Sequence, residues 1–254
     1  MNNRFVGALV VLFLVAAMPV FGGVVSVSGD AIVFEAGSDE VNTLILNPRG
    51  AAFDQSNGQF VTGVTIKDNG TSLPTAVAPC RVLAGTAICE GTGIFRAVIH
   101  LGNQSDSVLY EFASFEDPIV TMNVDGGLGA DTITGGPGAD TLDGGAGDDT
   151  INGGGGDDQI NGGLGVDTIN GGPGRDHLFG NAGGDFINGD GDNDEIDGGI
   201  GDDTINGGQG ADVIRGDSGA DTIASRDGFV DNINCGLGID KLTRDGNDSV
   251  KRCE

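Results

Sequence analysis

Residues 126–224 read GGLGADTIT GGPGADTLD GGAGDDTIN GGGGDDQIN GGLGVDTIN GGPGRDHLF GNAGGDFIN GDGDNDEID GGIGDDTIN GGQGADVIR GDSGADTIA. Broken this way, the stretch is eleven units of nine residues with no insertion. Position one is Gly in all eleven. Position six is Asp in all eleven: Asp131, Asp140, Asp149, Asp158, Asp167, Asp176, Asp185, Asp194, Asp203, Asp212 and Asp221. Position eight is always Ile or Leu, from Ile133 to Ile223, and position four is Gly except at Asp192. A fixed short period marks an architecture of stacked repeats, in which no single unit buries enough to fold alone.

Each column has a physical reason. Glycines at positions one, two and four suit a tight turn with positive φ that exposes its carbonyls. The substitutes at position two are Asn181, Asp190 and Asp217, the residue types that best tolerate a left-handed backbone. Positions seven to nine read x-Ile-x, a minimal strand whose alternation sends the Ile to one face. Strands stacked at ~4.8 Å would pile these side chains into a thin apolar column.

Working outward, the charge is concentrated in the same place. The 254-residue chain has 38 acidic and 12 basic residues, a formal charge of −26. Residues 126–224 hold 20 of the acidic side chains, only Arg175 and Arg215 among the basic ones, and 32 of the 49 Gly. Nucleic acid and anionic lipid are excluded as partners, since both require basic surface. Stacked carboxylates ~5 Å apart repel by ~3 kcal/mol even at an effective dielectric of about 20. A cation between them reverses the sign. Calcium takes 6–8 oxygen ligands from carboxylates and carbonyls, the two donors a Gly/Asp turn offers, whereas magnesium demands a stricter octahedron. Transition metals favour nitrogen or sulfur, and the chain has only His100 and His177. Without a cation the stretch has the composition of a disordered linker.

The units GGLGADTIT, GGPGADTLD, GGAGDDTIN and GGQGADVIR resemble the GGxGxDxUx nonapeptide of RTX (hemolysin-type) calcium-binding repeats. The resemblance implies an all-β fold, a parallel β-roll (a right-handed β-solenoid) with two units per eighteen-residue coil. It further implies Ca²⁺ between successive turns on the same side. One side would use Asp131, Asp149, Asp167, Asp185, Asp203 and Asp221, and the other Asp140, Asp158, Asp176, Asp194 and Asp212, giving up to nine ions. The departures at Asn181, Asp190 and Asp192 fall beside Asp185 and Asp194.

The flanks complete the expected organisation. Residues 1–23 have the layout of a secretory signal peptide: Arg4, an apolar run from Phe5 to about Phe21, then Gly22 and Gly23. An uncleaved anchor is the alternative, given the length of the run. Residues 24–125 read as strands at Val24–Val27, Ala31–Glu35, Leu44–Leu46, Val61–Lys67, Phe95–Leu101 and Val108–Phe112. Asp106 and Val108 fit positions six and eight of a worn repeat, and Val120–Val124 fits a first strand. This region is either a cap stacked on the roll or a β-domain with its own task. After Ala224 the register slips by one, so that Asp231 and Ile233 fit positions six and eight. Cys235–Thr243 is a further unit with Cys replacing the first Gly, and Asp240 is a weaker candidate ligand. Residues 225–254 thus form degenerate repeats and a C-terminal cap. An even count of four cysteines in an exported chain suggests disulfides, and the sequence-local pairing is Cys80–Cys89 with Cys235–Cys253.

Nothing in the sequence assembles a catalyst. There is no HExxH zinc motif, nucleophile elbow or phosphate loop, and His177 falls at an outward position seven. One surface pattern stands apart. Alternate units place Thr132, Thr150, Thr168, Phe186, Thr204 and Thr222 at position seven, with Thr134, Asn152, Asn170, Asn188 and Asn206 at position nine. Such ladders suit exposed strands and amide stacking. They would equally suit a periodic ligand such as ice or an extracellular polysaccharide. The expected protein is a secreted or cell-surface calcium binder that folds on binding the ion, with no membrane contact after signal cleavage. An adhesin or recognition module is the alternative.

Overall fold

The computed structural model describes the backbone of the strands between Val24 and Tyr110. It describes backbone and side chains together for Ile99, Asn103, residues 105–108 and residues 121–253. The expected signal segment, residues 1–23, lies outside the described residues. All regular structure among the described residues is strand. Two twelve-stranded sheets face each other, with a separate two-stranded sheet of Ala51–Asp54 and Gln59–Thr62, and through the repeats the chain passes from one large sheet to the other at every turn. One sheet carries Thr141–Ala146, Gln159–Leu164, His177–Ala182, Glu195–Ile200 and Val213–Ser218. The other carries Thr132–Gly136, Thr150–Gly154, Thr168–Pro173, Phe186–Gly191, Thr204–Asn206 and Thr222–Ser225.

Every strand pair in the repeats is parallel, and partners lie eighteen residues apart, as in Ile133↔Ile151 and Ile160↔Leu178. Two units therefore make one coil, and the fold is a parallel β-roll. The position-eight side chains form two facing columns, each 0–2% exposed from Ile133 to Ile223. Each such side chain contributes ~1.5–3 kcal/mol. With one per nine residues the core is only as wide as these two columns, extended at its ends by Ile99, Val108, Val124 and Ile233.

The coils continue beyond the regular repeats in both directions. Ser107–Tyr110 pairs with Thr132–Gly136 through Val108↔Ile133, as the worn repeat around Asp106 suggests. Thr121–Asp125 stacks between Arg96–His100 and Thr141–Ala146. Ala31–Glu35 and Thr43–Asn47 extend the two sheets in parallel. Beyond them the pairing turns antiparallel, with Val24–Ser28 on one sheet and Val64–Asp68, Thr86–Cys89 and Cys80–Leu83 on the other. The expected strand Val61–Lys67 is two strands, Gln59–Thr62 and Val64–Asp68, with the strand-weakening Gly63 between them. Cys80 faces Cys89 in register across adjacent strands. Their side chains lie outside the described ones.

At the other end the slip after Ala224 is visible as a nineteen-residue offset, Val213↔Asn232 and Ile223↔Leu242. Asn232–Asn234 and Lys241–Arg244 form a further coil, and Ser249–Lys251 stacks on Asn232–Asn234 as the first strand of the next. Cys235 and Cys253 are disulfide-bonded, with Cα atoms 5.0 Å apart. The bridge closes the sequence-local loop and holds the last strand against the core. Lys241, Arg244 and Lys251 stand on the two terminal edge strands, where charge discourages further strand addition.

Candidate metal centre

The turns that join the sheets are built from two kinds of glycine. Positions two and four have positive φ, as at Gly145 (96°) and Gly147 (145°). The expected substitutes at position two are left-handed, Asn181 at 70°, Asp190 at 72° and Asp217 at 65°, and Asp192, the exception at position four, also has positive φ, at 75°. Position one differs from expectation. None of its glycines has positive φ, so conformational freedom is not the reason for them. A Cβ on Gly144 would instead collide with Oδ2 of Asp149 and the carbonyl oxygen of Gly162 in the next coil. The same crowding recurs at Gly126, Gly135, Gly153 and Gly189. Position one is bare because two oxygens converge on it.

The position-six aspartates form two columns, one leading into each sheet. From Asp131 to Asp221 each is at most 2% exposed. Each uses its two carboxylate oxygens differently. Oδ1 accepts the backbone N–H of the corresponding residue in the preceding coil: Asp131 N to Asp149 (2.7 Å), Asp149 N to Asp167 (2.8 Å), Asp158 N to Asp176 (2.9 Å) and Asp194 N to Asp212 (2.9 Å). Met122 N–H makes the equivalent bond to Asp140 at 2.7 Å. From Asp131 through Asp221, Oδ2 is buried beside the position-one glycine and receives no hydrogen bond; Oδ2 of Asp240, whose unit has Cys235 in place of that glycine, receives none either. All the sequence-derived ligand candidates thus share one geometry, except that Asp240 is only half-buried.

Burial without a counter-charge makes ionisation unfavourable. Desolvation, aided by neighbouring carboxylates, raises Asp140 and Asp194 to about 8 and Asp131, Asp158 and Asp203 to about 7. Asp167, Asp176 and Asp212 rise to about 6, again chiefly through desolvation. Asp149, Asp185 and Asp221 shift in the same direction for the same reason.

The sequence reading missed three features. Position five supplies a second, opposite set of bonds: Oδ1 of Asp148, Asp157 and Asp202 accepts the N–H of Val166, Arg175 and Ala220 in the following coil. Asn193 does the same for Ala211. The signal lies eighteen residues apart, in acceptors at one unit's position five facing non-acceptors two units later. Second, Asp212 N–H bonds to Asp231 (2.9 Å), as its position-six reading implies, and Asp248, which was not read as part of a column, extends it through Asp231 N–H (3.3 Å). Third, Ser225 occupies the place of the position-one glycine, and its hydroxyl donates to Oδ2 of Asp231. There the second oxygen is satisfied by the protein itself.

A carboxylate Oδ2 lies beside every position-one glycine, and at most of them, as at Gly126, Gly135, Gly144, Gly153 and Gly189, a backbone carbonyl oxygen converges with it. Among the described residues no three acidic, His or Cys side chains gather closely enough to hold a metal by themselves. Any ion here would depend on main-chain carbonyls for most of its shell, a donor set that suits a hard cation and not a transition metal. His177 is exposed on the outer face, 3.7 Å from Glu195, which also meets Arg215 at 2.8 Å. The Thr ladder is in register, Thr132↔Thr150↔Thr168, until Phe186 interrupts it. Its Asn amides bond to one another, Asn206 to Asn188 (2.8 Å) and Asn188 to Asn170 (3.2 Å).

A parallel β-roll with a buried carboxylate and a bare glycine in turn after turn defines a class of short-repeat solenoid proteins. The sequence agrees with the geometry: residues 125–160, 161–196 and 197–229 match the family model of the RTX calcium-binding nonapeptide repeat. Residues 125–229 of this chain are RTX repeats. A comparison with curated proteins gave no match.

Proposed function

We propose that the chain is an extracellular calcium-binding protein whose roll forms when Ca²⁺ enters the gaps between successive turns. The observation that carries this reading is the column of buried Oδ2 atoms without partners. A dozen unpaired buried carboxylates cannot all stay charged in one narrow fold. Calcium supplies the missing partner. Asp131, Asp149, Asp167, Asp185, Asp203 and Asp221 would hold the ions of one side, and Asp140, Asp158, Asp176, Asp194 and Asp212 those of the other, each with turn carbonyls. That arrangement gives nine ions. Asp240, beside the Cys235 carbonyl that approaches Gly216 and Oδ2 of Asp221, adds a weaker tenth gap.

In this reading calcium-free chains stay unfolded in the calcium-poor cell interior and fold after export, where calcium is abundant. The Cys235–Cys253 disulfide fits an oxidising compartment, and the apolar segment after Arg4 fits a secretory route. The protein acts by binding and not by catalysis. The mutual hydrogen bonds of the Asn ladder favour a structural role for that face over recognition of a periodic ligand.

Far-UV circular dichroism during a CaCl₂ titration, with MgCl₂ as control and chelator to reverse it, tests the proposal. A calcium-specific, reversible gain of β signal is expected. Full β signal in chelator at pH 8, unchanged by calcium, would overturn it.

A further inference from the structure

Position three points out of each turn, and on one edge of the roll it carries a pattern the nine-residue period hides. Along the edge entering the Thr/Asn sheet the residues are Leu128, Ala146, Leu164, Ala182, Ile200, Ser218 and Leu237. They form one continuous parallel ladder, each paired with the next. Large and small side chains alternate without exception. The four large ones are 53%, 62%, 69% and 67% exposed. Val166 and Ile239, each two residues further along a turn, widen the stripe. The opposite edge has Pro137, Gly155, Pro173, Gly191 and Gln209 at the same position and no such ridge.

An exposed apolar strip of this length is unusual on a chain of charge −26. Its spacing specifies an occupant. Successive coils lie ~4.8 Å apart, so the knobs recur every ~9.6 Å with a notch between each pair. That profile is complementary to itself. A second copy running antiparallel and displaced by one coil seats Leu237 over Ala146, Leu164 over Ser218 and Ile200 over Ala182. The twofold operation repeats each contact and closes the pair, leaving no free half to propagate.

We infer that this ridge is a dimer interface between two copies of the chain, formed once the roll is folded. Charge makes it calcium-dependent. Asp148 and Asp202 lie in the same turns as the ridge residues, and two calcium-free chains would repel strongly. Nine divalent ions carry +18 against −26 and remove most of that repulsion. The inference therefore rests on the calcium reading.

The test is sedimentation equilibrium of the exported protein at tens of micromolar, in CaCl₂, with circular dichroism on the same samples. The mass of two chains is expected. Combining Leu164→Lys with Ile200→Lys should halve the mass while leaving the calcium-induced β signal intact. Pro173→Lys, on the opposite edge, should leave the dimer unchanged. A single-chain mass with full β signal overturns the dimer alone, as does a dimer that survives the two lysines. A monomer that binds an apolar dye along the ridge also overturns it, in favour of a different partner. Absence of any calcium-induced β signal instead refutes the calcium reading beneath it.

Discussion

Asp167→Asn should have opposite effects with and without calcium. Asp167 sits in mid-column, fully buried, accepting the Asp149 N–H at 2.8 Å through Oδ1 and donating its own N–H to Asp185 at 2.8 Å. Asn preserves the Oδ1 acceptor and the backbone donor, so the coil can still close. What it removes is one negative charge between two others stacked one coil away on either side. At ~4.8 Å and an effective dielectric of about 20, each neighbour repels by ~3.5 kcal/mol. The calcium-free roll is therefore relieved by at most ~7 kcal/mol, and by less where its neighbours are already protonated. With calcium the same change weakens both gaps that border the residue. A site lost at a hundredfold saturation removes about 2.7 kcal/mol, so two remove about 5 kcal/mol. Loss of β dichroism with rising pH in chelator, and urea unfolding at pH 8 in CaCl₂, read the two arms. The variant should be more stable than the parent in chelator and less stable in calcium. Destabilisation of equal size in both conditions would refute the reasoning, because it would mean that the carboxylate acts only as a hydrogen-bond acceptor.

Further outcomes follow from the same geometry. Eight of the position-six pKa values lie near 6, 7 or 8 in the fold, and those of Asp149, Asp185 and Asp221 shift in the same direction from the ordinary 3.8, so folding takes up protons. The calcium-free roll should be most stable below pH 4 and lose that stability as pH rises through 6 to 8; dichroism in chelator across this range checks it, and calcium addition at pH 7 should release protons in a weakly buffered titration. Gly144→Ala, which drives a Cβ into Asp149 Oδ2 and the Gly162 carbonyl, should cost about 3–5 kcal/mol in calcium from overpacking plus one lost ion. Gly145→Asn must pull its φ from 96° toward the 70° of Asn181 to clear the Gly127 carbonyl, and should cost about 1–3 kcal/mol in thermal melts, less than Gly144→Ala because no ion is lost. Ser225→Gly frees Oδ2 of Asp231, and equilibrium dialysis should then count one more calcium per chain than the parent; an unchanged count would separate the free oxygen from ion binding.

The parts of this structure legible in the sequence are those written at a nine-residue period. The Asp and Ile columns and the left-handed substitutes at Asn181, Asp190 and Asp217 stand as expected, since each is decided within a single unit. Features that depend on the coil are written at eighteen or thirty-six residues and were less visible. The Asp148 to Val166 and Asp202 to Ala220 bonds link units two apart. Position three alternates only when every second unit is compared. The position-one glycines mislead for a related reason, because what excludes a Cβ at Gly144 is the carbonyl of Gly162, eighteen residues away. In the N-terminal part the strands Cys80–Leu83 and Thr86–Cys89 are short and follow no repeat, so only their cysteines marked them.

The invariance of position six has a sharper cause than ligand identity alone. Its side chain must do two things from one short stem: Oδ1 must reach back to the preceding coil's N–H, while Oδ2 must turn toward the bare glycine of its own turn. Asn satisfies the first task without the charge, and Glu is too long to hold both. Coil closure and cation binding are thereby assigned to one residue, so that a turn cannot close without also presenting a buried anionic oxygen. The exception bears this out. At Asp231 the closing bond from Asp212 N–H is kept, but Ser225 stands where the glycine would be and donates to the second oxygen. The coil closes there without a vacant ligand. The column nevertheless continues across that turn, through Asp231 N–H to Asp248, with the disulfide-held strand Ser249–Lys251 stacked immediately above it.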